Sequence, residues 1–101
     1  MTKFVYVFRG GMPKTPEEGQ TMMTAWNAWL ADLGDAVLDP GAGVGKSRFV
    51  TGDGSDAPDA DPISGYMTVE AGDMDGAVAM ARKSPIFLFD GTIEVAEALQ
   101  M

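Results

Sequence analysis

The sequence predicts an α+β fold in which two helices cover one face of an antiparallel sheet. Short β-rich runs, bounded by glycine and proline, alternate with two segments of helical periodicity. The chain has 101 residues, a length that fits a single domain over residues 1–101. Hydrophobic residues make up 46% of it and charged residues 22%, values typical of a globular protein with a modest core.

The first strand and the first helix have the clearest local signals. Residues 4–8 form a continuous β-rich run that is apolar on both faces, so we expect both faces to be covered. Thr15 can cap a helix, Pro16 suits the first helical position, and Glu18 completes a capping box. An apolar stripe at helical spacing follows, which predicts a helix over residues 16–33.

The middle of the chain is predicted to contain short strands joined by loops. Residues 36–38 are read as a possible short strand, residues 39–45 as a turn or loop, and residues 47–51 as a further strand. Residues 52–62 form an acidic loop that we expect to be exposed and without regular structure. Residues 65–70 are predicted to be the next strand.

The last third of the chain is predicted to hold a helix and a strand. Asp73 can cap the helix, and Pro85 prevents its continuation. Residues 91–96 predict the final strand, with Ile93 and Val95 directed inward. The resulting order, β-α-β-β-α-β with one further short strand in the middle, matches the split βαβ plan of ferredoxin-like folds.

One face of such a sheet is bare unless something covers it. Because the first strand is apolar on both faces, the simplest cover is the same face of a second copy. The sequence therefore predicts a homodimer. The alternative is a monomer whose own long loop shields this face.

Charge and composition exclude several classes of function. The net charge is −8, which disfavours binding to nucleic acid and to anionic membranes. There is no cysteine, so thiolate sites and disulfides are excluded, and no histidine, the commonest general base and transition-metal ligand. No apolar run reaches the roughly 18 residues of a membrane span, and the N-terminus does not resemble a signal peptide. We expect a cytoplasmic protein.

Two motifs suggest a binding site for a ligand, but neither matches the residue pattern that such a site requires. The glycine-rich segment 41–47 resembles a phosphate loop, yet Pro40 stands where the first glycine is needed and a strand is predicted to follow. Four aspartates of the acidic loop suggest calcium, but their spacing does not fit an EF-hand. They are Asp53, Asp56, Asp59 and Asp61. We therefore predict neither a metal nor a cofactor.

A few side chains remain candidates for binding a ligand. Arg9 ends the first strand, and Arg48 lies in a predicted strand; either could anchor a carboxylate, or form a salt bridge instead. Tyr66 could donate a hydrogen bond into a cleft or simply pack, and Asp90 is either a solvated carboxylate or, if it were buried, a base. Trp26 and Trp29 lie on the apolar stripe of the first helix, and either both belong to the core or one of the two indoles lines a pocket.

Four segments together resemble the YCII-related family. Their order and spacing carry the resemblance, which covers most of the chain except the acidic loop. The segments are Tyr6-Val7-Phe8-Arg9-Gly10-Gly11, Thr15-Pro16-Glu17-Glu18, the stretch from Gly65-Tyr66 to Asp73-Met74-Asp75-Gly76-Ala77, and the stretch from Ser84-Pro85 to Gly91-Thr92-Ile93-Glu94-Val95.

The resemblance implies a dimeric α+β barrel in which two sheets pack face to face. Proteins of this shape include small isomerases, monooxygenases and dehalogenases, and related members often carry histidine and aspartate in a cleft. This chain has no histidine, and Ser84-Pro85-Ile86 stands where the family has a Cys-Pro-His-like stretch. The acid–base groups of the family therefore do not carry over to this chain.

Three functional hypotheses follow from the sequence. The first is a small-molecule binding protein of the YCII-like type, for an anionic or aromatic ligand. The second is a non-catalytic dimerisation or regulatory module filled by its own side chains. The third is a lyase- or isomerase-like enzyme that works without histidine. Fold analogy alone does not decide among them.

Overall fold

A four-stranded antiparallel sheet with two helices on one face forms the protein. The computed structural model describes residues 1–55 and 61–100. The elements are Thr2–Arg9 (β1), Pro16–Leu33 (α1), Val37–Gly43 (β2), Gly65–Ala71 (β3), Met74–Ala81 (α2) and Thr92–Glu97 (β4), with 3-10 turns at Gly34–Ala36 and Pro85–Phe89. The strand order is β2-β3-β1-β4, with all pairs antiparallel. This arrangement confirms the predicted ferredoxin-like α+β fold.

Strand β1 lies in the centre of the sheet and divides its residues between two faces. Phe4, Tyr6 and Phe8 are buried against the helices. Val5 and Val7 lie on the opposite face and are only half-buried. We call this opposite side of β1, β3 and β4 the open face. A single copy of the chain leaves it uncovered.

Helix α1 follows its local signals. It begins at Pro16, and the Thr15 hydroxyl accepts a hydrogen bond from the Glu18 backbone N–H at 3.1 Å. The Glu18 carboxylate in turn accepts from the Lys14 N–H at 2.9 Å. The helix ends before Gly34, which adopts a positive φ of 56° that favours glycine. Both predicted ends of the helix are confirmed.

The core lies between the helices and the inner face of the sheet. Its largest completely buried side chains are Tyr6, Phe4, Met67 and Val69. Helix α2 is short, and it reaches the core through Ala77 and Ala81. Because these side chains are small, the backbone of α2 can approach the aromatic rings of β1 closely.

Strand β2 is longer than the sequence predicts. The expected loop at residues 39–45 is in fact strand as far as Gly43. Asp39, Pro40 and Gly41 are turn formers, but β2 is an edge strand with two register irregularities against β3, where proline and positive-φ glycine are tolerated. The pairing with β3 overrides the local turn preference.

The predicted strand at residues 47–51 is wrong. Only Val50 makes a bridge, and the rest of this segment has no ladder. Its residues favour β structure locally. However, β3 pairs with β1 on one side and with β2 on the other, so it has no unpaired edge for this segment. Of the acidic loop, residues 52–55 are exposed, and residues 56–60 lie outside the described part of the chain.

The C-terminal elements agree with the prediction. Asp73 caps α2 by accepting the Gly76 N–H at 2.8 Å, and β4 pairs with β1. The 3-10 turn Pro85–Phe89, capped by the Ser84 hydroxyl, was not predicted. No helix among the described residues is both long enough and apolar enough to cross a membrane.

Candidate functional site

An apolar cavity of about 500 Å³ lies between α1, the β2–β3 edge and the segment that follows β1. This volume falls within the usual range for small-molecule sites. We call it the aromatic cavity. Its lining residues are Phe8, Gly11, Met12, Pro13, Met22, Met23, Trp26, Leu30, Pro40, Gly41, Ala42, Gly43, Ser64, Gly65, Tyr66 and Ile86.

Glycines allow the backbone to form two walls of this cavity. Gly41 has a φ of 67°, and a Cβ built on it would lie 1.8 Å from the Tyr66 carbonyl oxygen. Gly11 has a φ of 68°, and its Cβ would lie 2.6 Å from the Ile86 side chain. At both positions a larger residue would force the neighbouring segments apart.

Aromatic rings form the floor of the cavity. Trp26 meets Phe8 edge to face, with ring centroids 5.1 Å apart, and meets Trp29 in the same way at 5.2 Å. The Trp29 indole N–H donates to the Met80 carbonyl oxygen at 3.1 Å. The Trp26 indole N–H donates to no atom of the described residues. Trp26 is therefore the indole that lines a pocket, and Trp29 belongs to the core.

Tyr6 lies in the buried core, behind the aromatic rings that form this floor. Its hydroxyl donates to the Ala77 carbonyl oxygen at 2.5 Å, and its ring stacks on Trp29 with centroids 6.2 Å apart. Burial raises the pKa of Tyr6 to about 12, because the phenolate would lose its hydration there. This hydroxyl is neither ionised at neutral pH nor exposed to a ligand, so it is a structural group.

Ser64 lies at the boundary between the aromatic cavity and a neighbouring groove, and lines both. Its backbone N–H donates to the Phe8 carbonyl oxygen at 2.7 Å, and its carbonyl oxygen accepts from the Val44 N–H at 3.0 Å. Its hydroxyl donates to the Gly10 carbonyl oxygen at 2.9 Å. These bonds hold the end of β1 and the end of β2 together at the cavity wall.

The four site residues predicted from the sequence do not converge on one point. Tyr66 lines the aromatic cavity and is 40% exposed. Arg9 is half-buried on the open face, where its guanidinium donates to the Glu94 carboxylate at 2.8 Å. Arg48 is exposed in the segment after β2, and Asp90 is exposed just before β4. Asp90 has a left-handed backbone with φ 63°, so its position ends the 3-10 turn.

Within residues 1–55 and 61–100, no cluster of three or more acidic side chains forms a potential metal site. Asp53, the first acidic residue of the loop, accepts hydrogen bonds from the side chains of Ser55 and Thr51. These bonds, that from Ser55 foremost, lower the pKa of the Asp53 carboxyl. They make a local turn in an exposed position.

Sequence reasoning missed most of the cavity lining. Met22 and Met23 lie within the predicted helix, which by itself marks no pocket, and Ser64 has no local signal. The available signal was an excess of methionine, eight residues in the chain, together with a tryptophan on one helix face. The lining comes from five separated segments, and only their assembly creates the site.

Comparison with known proteins identifies a relative of the fold. No protein-family model and no curated protein sequence matches the chain. A solved structure does match: 5-chloro-2-hydroxyhydroquinone dehydrochlorinase (TftG) from Burkholderia phenoliruptrix AC1100, in complex with 2,5-dihydroxybenzoquinone. The TM-score is 0.60 at 17% sequence identity, over 97% of this chain and 95% of that chain. The protein therefore shares the fold of this dehydrochlorinase along nearly its whole length.

Proposed function

We propose that the protein binds a small aromatic molecule in the aromatic cavity. The observation that carries the proposal is the cavity itself, about 500 Å³ in volume and floored by Trp26 and Phe8. A single substituted ring fits within this volume. None of the described lining residues is charged, so the cavity favours an uncharged ring over a small inorganic ion.

The lining also suits a planar ligand with few polar groups. Met22 and Met23 have flexible thioethers that adapt to ring edges. The Trp26 indole N–H offers a hydrogen bond that no described residue uses. Tyr66 is the one residue of the four predicted from sequence that borders the cavity, with its backbone beside Gly41, whereas its side chain lies beside Val7 on the open face.

The likeness to the dehydrochlorinase supports the choice of ligand class. The structure of that protein is a complex with 2,5-dihydroxybenzoquinone, a six-membered ring with oxygen substituents. The sequence resemblance to the YCII-related family points the same way, toward small organic ligands. We propose binding of a phenol- or quinone-type ring without a chemical step, because the described lining residues offer no acid–base pair.

Indole N–H signals in the nuclear magnetic resonance spectrum test the proposal directly. The chain has two tryptophans, so ¹⁵N-labelled protein gives two such signals, and Trp26→Phe assigns them. Titration with phenol, hydroquinone and 2,5-dihydroxybenzoquinone should shift the Trp26 signal saturably. The Trp29 signal should move less, because its N–H is bonded to Met80.

A matched pair of methionine substitutions locates the binding site. Met23 lies in the cavity lining and is 65% exposed, whereas Met74 is 43% exposed on α2, outside it. Met23→Glu should weaken phenol binding at least several-fold, since the ring would desolvate the new carboxylate. Met74→Glu adds the same charge and should leave the affinity unchanged. Equal affinities in both variants, or no shift of Trp26 with any ring, would refute the proposal.

A homodimer through the open face is the second proposal, and the charge distribution of that face favours it. The face carries two cations, Lys3 and Arg9, and two carboxylates, Glu70 and Glu94, and is neutral although the chain has a net charge of −8. Its centre is formed by half-buried Val5 and Val7. A neutral, partly apolar face can meet its own copy without the repulsion that the rest of the surface would cause.

Sedimentation velocity tests the dimer. Val7→Lys places a charge at the centre of the open face and should convert the protein to monomer, because two copies would bring like charges together. Ala79→Lys, at an exposed position of α2 on the other side of the sheet, is the control and should remain dimeric. A wild-type protein that sediments as a monomer at micromolar concentration would contradict the proposal.

A further inference from the structure

A second cavity adjoins the aromatic cavity and extends the space open to a ligand. It is a groove of about 710 Å³ beneath the segment that follows β2. Met12 and Ser64 line both spaces, so the groove begins where the aromatic cavity ends. The remaining residues of the groove are Gly10, Val44, Gly45, Lys46, Ser47, Phe49, Pro62 and Ile63.

The groove differs from the aromatic cavity in its charge. Among the described residues of its lining, Lys46 is the only charged one, and Ser47 beside it adds a hydroxyl. No carboxylate of residues 1–55 or 61–100 forms an ion pair with Lys46. In two other cavities of the described residues a lysine lies with a carboxylate, as Lys83 does with Asp32, whereas the described lining around Lys46 has none.

We propose that this groove binds the carboxylate of a ligand whose aromatic ring occupies the aromatic cavity, so that the ligand class is the aryl-substituted carboxylic acids. Lys46 supplies the positive charge and Ser47 a hydrogen-bond donor. Ser64 lies at the passage between ring and carboxylate. The inference rests on the proposed function, because the ring must first bind in the cavity.

The electrostatics of the whole chain make Lys46 decisive for such a ligand. A net charge of −8 repels anions at long range, and this repulsion is screened by salt. The short-range attraction to Lys46 must exceed it for a carboxylate to be preferred over a neutral group. Removing the one ammonium group should therefore abolish the preference for an acid and leave binding of the ring intact.

Calorimetry with two ligands of the same skeleton tests the inference. The probes are 4-hydroxyphenylacetate and its neutral amide, 4-hydroxyphenylacetamide. The wild-type protein should bind the acid about tenfold more tightly than the amide, the effect of one charge-assisted contact. In Lys46→Gln the affinity for the acid should fall to that for the amide, and the affinity for the amide should stay unchanged. Lys83→Gln, which lines neither space, removes the same charge and should keep the tenfold preference.

Failure of the inference and failure of the proposed function give different results. If both probes bind equally to the wild-type protein and Lys46→Gln changes neither, the carboxylate site is refuted and the aromatic cavity stands. If Lys46→Gln and Lys83→Gln reduce acid binding equally, the effect is one of net charge and the carboxylate site is again refuted. If neither probe binds nor shifts the Trp26 indole signal, the proposed function fails and the inference with it.

Discussion

The Tyr6 hydroxyl donates a hydrogen bond of 2.5 Å to the carbonyl oxygen of Ala77, which ties the central strand to helix α2. One helical turn further on, the Met80 carbonyl oxygen accepts from the Trp29 indole N–H. Helix α2 has eight residues, fewer than an isolated helix needs for stability in water. Two buried aromatic side chains thus fix a helix that could not hold its place by local preference.

Removal of the Tyr6 hydroxyl should destabilise the protein without changing its shape. Tyr6→Phe keeps the ring stacked on Trp29 but leaves a buried carbonyl without its donor, and should lower the free energy of unfolding by about 1–3 kcal/mol. Urea denaturation measures this change. The control is Tyr66→Phe, because the Tyr66 hydroxyl has no hydrogen bond within the described residues, and its effect should stay within about 0.5 kcal/mol. Equal losses in both variants would count against the role given to Tyr6.

The raised pKa of Tyr6 should make stability depend on alkaline pH. Its pKa is about 12 in the folded protein and near the ordinary value of about 10 in the unfolded chain. Between these values the unfolded chain loses the phenol proton while the folded protein keeps it, so stability is full below pH 10 and falls as pH rises toward 12. Urea midpoints at pH 9 and pH 11 should differ more for the wild type than for Tyr6→Phe. The same pH dependence in both would show that other groups cause it.

Gly41 should tolerate no side chain. A Cβ at this position would lie 1.8 Å from the Tyr66 carbonyl oxygen, and its φ of 67° is strained for alanine. Gly41→Ala should therefore separate β2 from β3 and lower the free energy of unfolding by roughly 2 kcal/mol or more. Gly45→Ala is the matched control, since nothing lies within 4 Å of its Cβ. Thermal unfolding compares the two, and a small effect at Gly41 would contradict the close approach.

The cap of α2 should depend on a side-chain oxygen rather than on charge. Asp73 accepts the Gly76 N–H at 2.8 Å, so Asp73→Ala should cost about 1 kcal/mol of stability. Asp73→Asn keeps an oxygen acceptor and should recover most of the loss. Chemical denaturation distinguishes the two. If the asparagine variant were as unstable as the alanine variant, the negative charge at the helix terminus would be the main contribution.

The candidate site was predictable only in part. Two tryptophans on an apolar helix face left core packing and a pocket wall as alternatives, and Trp26 lines the pocket. Nothing in the local sequence marked Ser64, because its role depends on segments distant along the chain. Arg9 had two interpretations, a ligand anchor or a salt bridge, and the structure shows a salt bridge to Glu94.

The sequence by itself determined the elements whose signals are local. The ends of α1 follow from Thr15, Pro16 and Gly34, because capping depends on backbone groups within one turn. The alternation of β1 likewise assigned Phe4, Tyr6 and Phe8 to one face, since successive side chains of a strand point to opposite sides.

The tertiary structure alone decided the length of β2, the loss of the strand at residues 47–51, and the aromatic cavity. A segment becomes a strand only where a neighbouring strand has an unpaired edge. One edge of β3 pairs with β1, and its other edge pairs with β2. The cavity arises where α1, the β2–β3 edge and the 3-10 turn Pro85–Phe89 come together. Contacts between distant segments, unlike caps and alternation, have no local pattern from which they can be predicted.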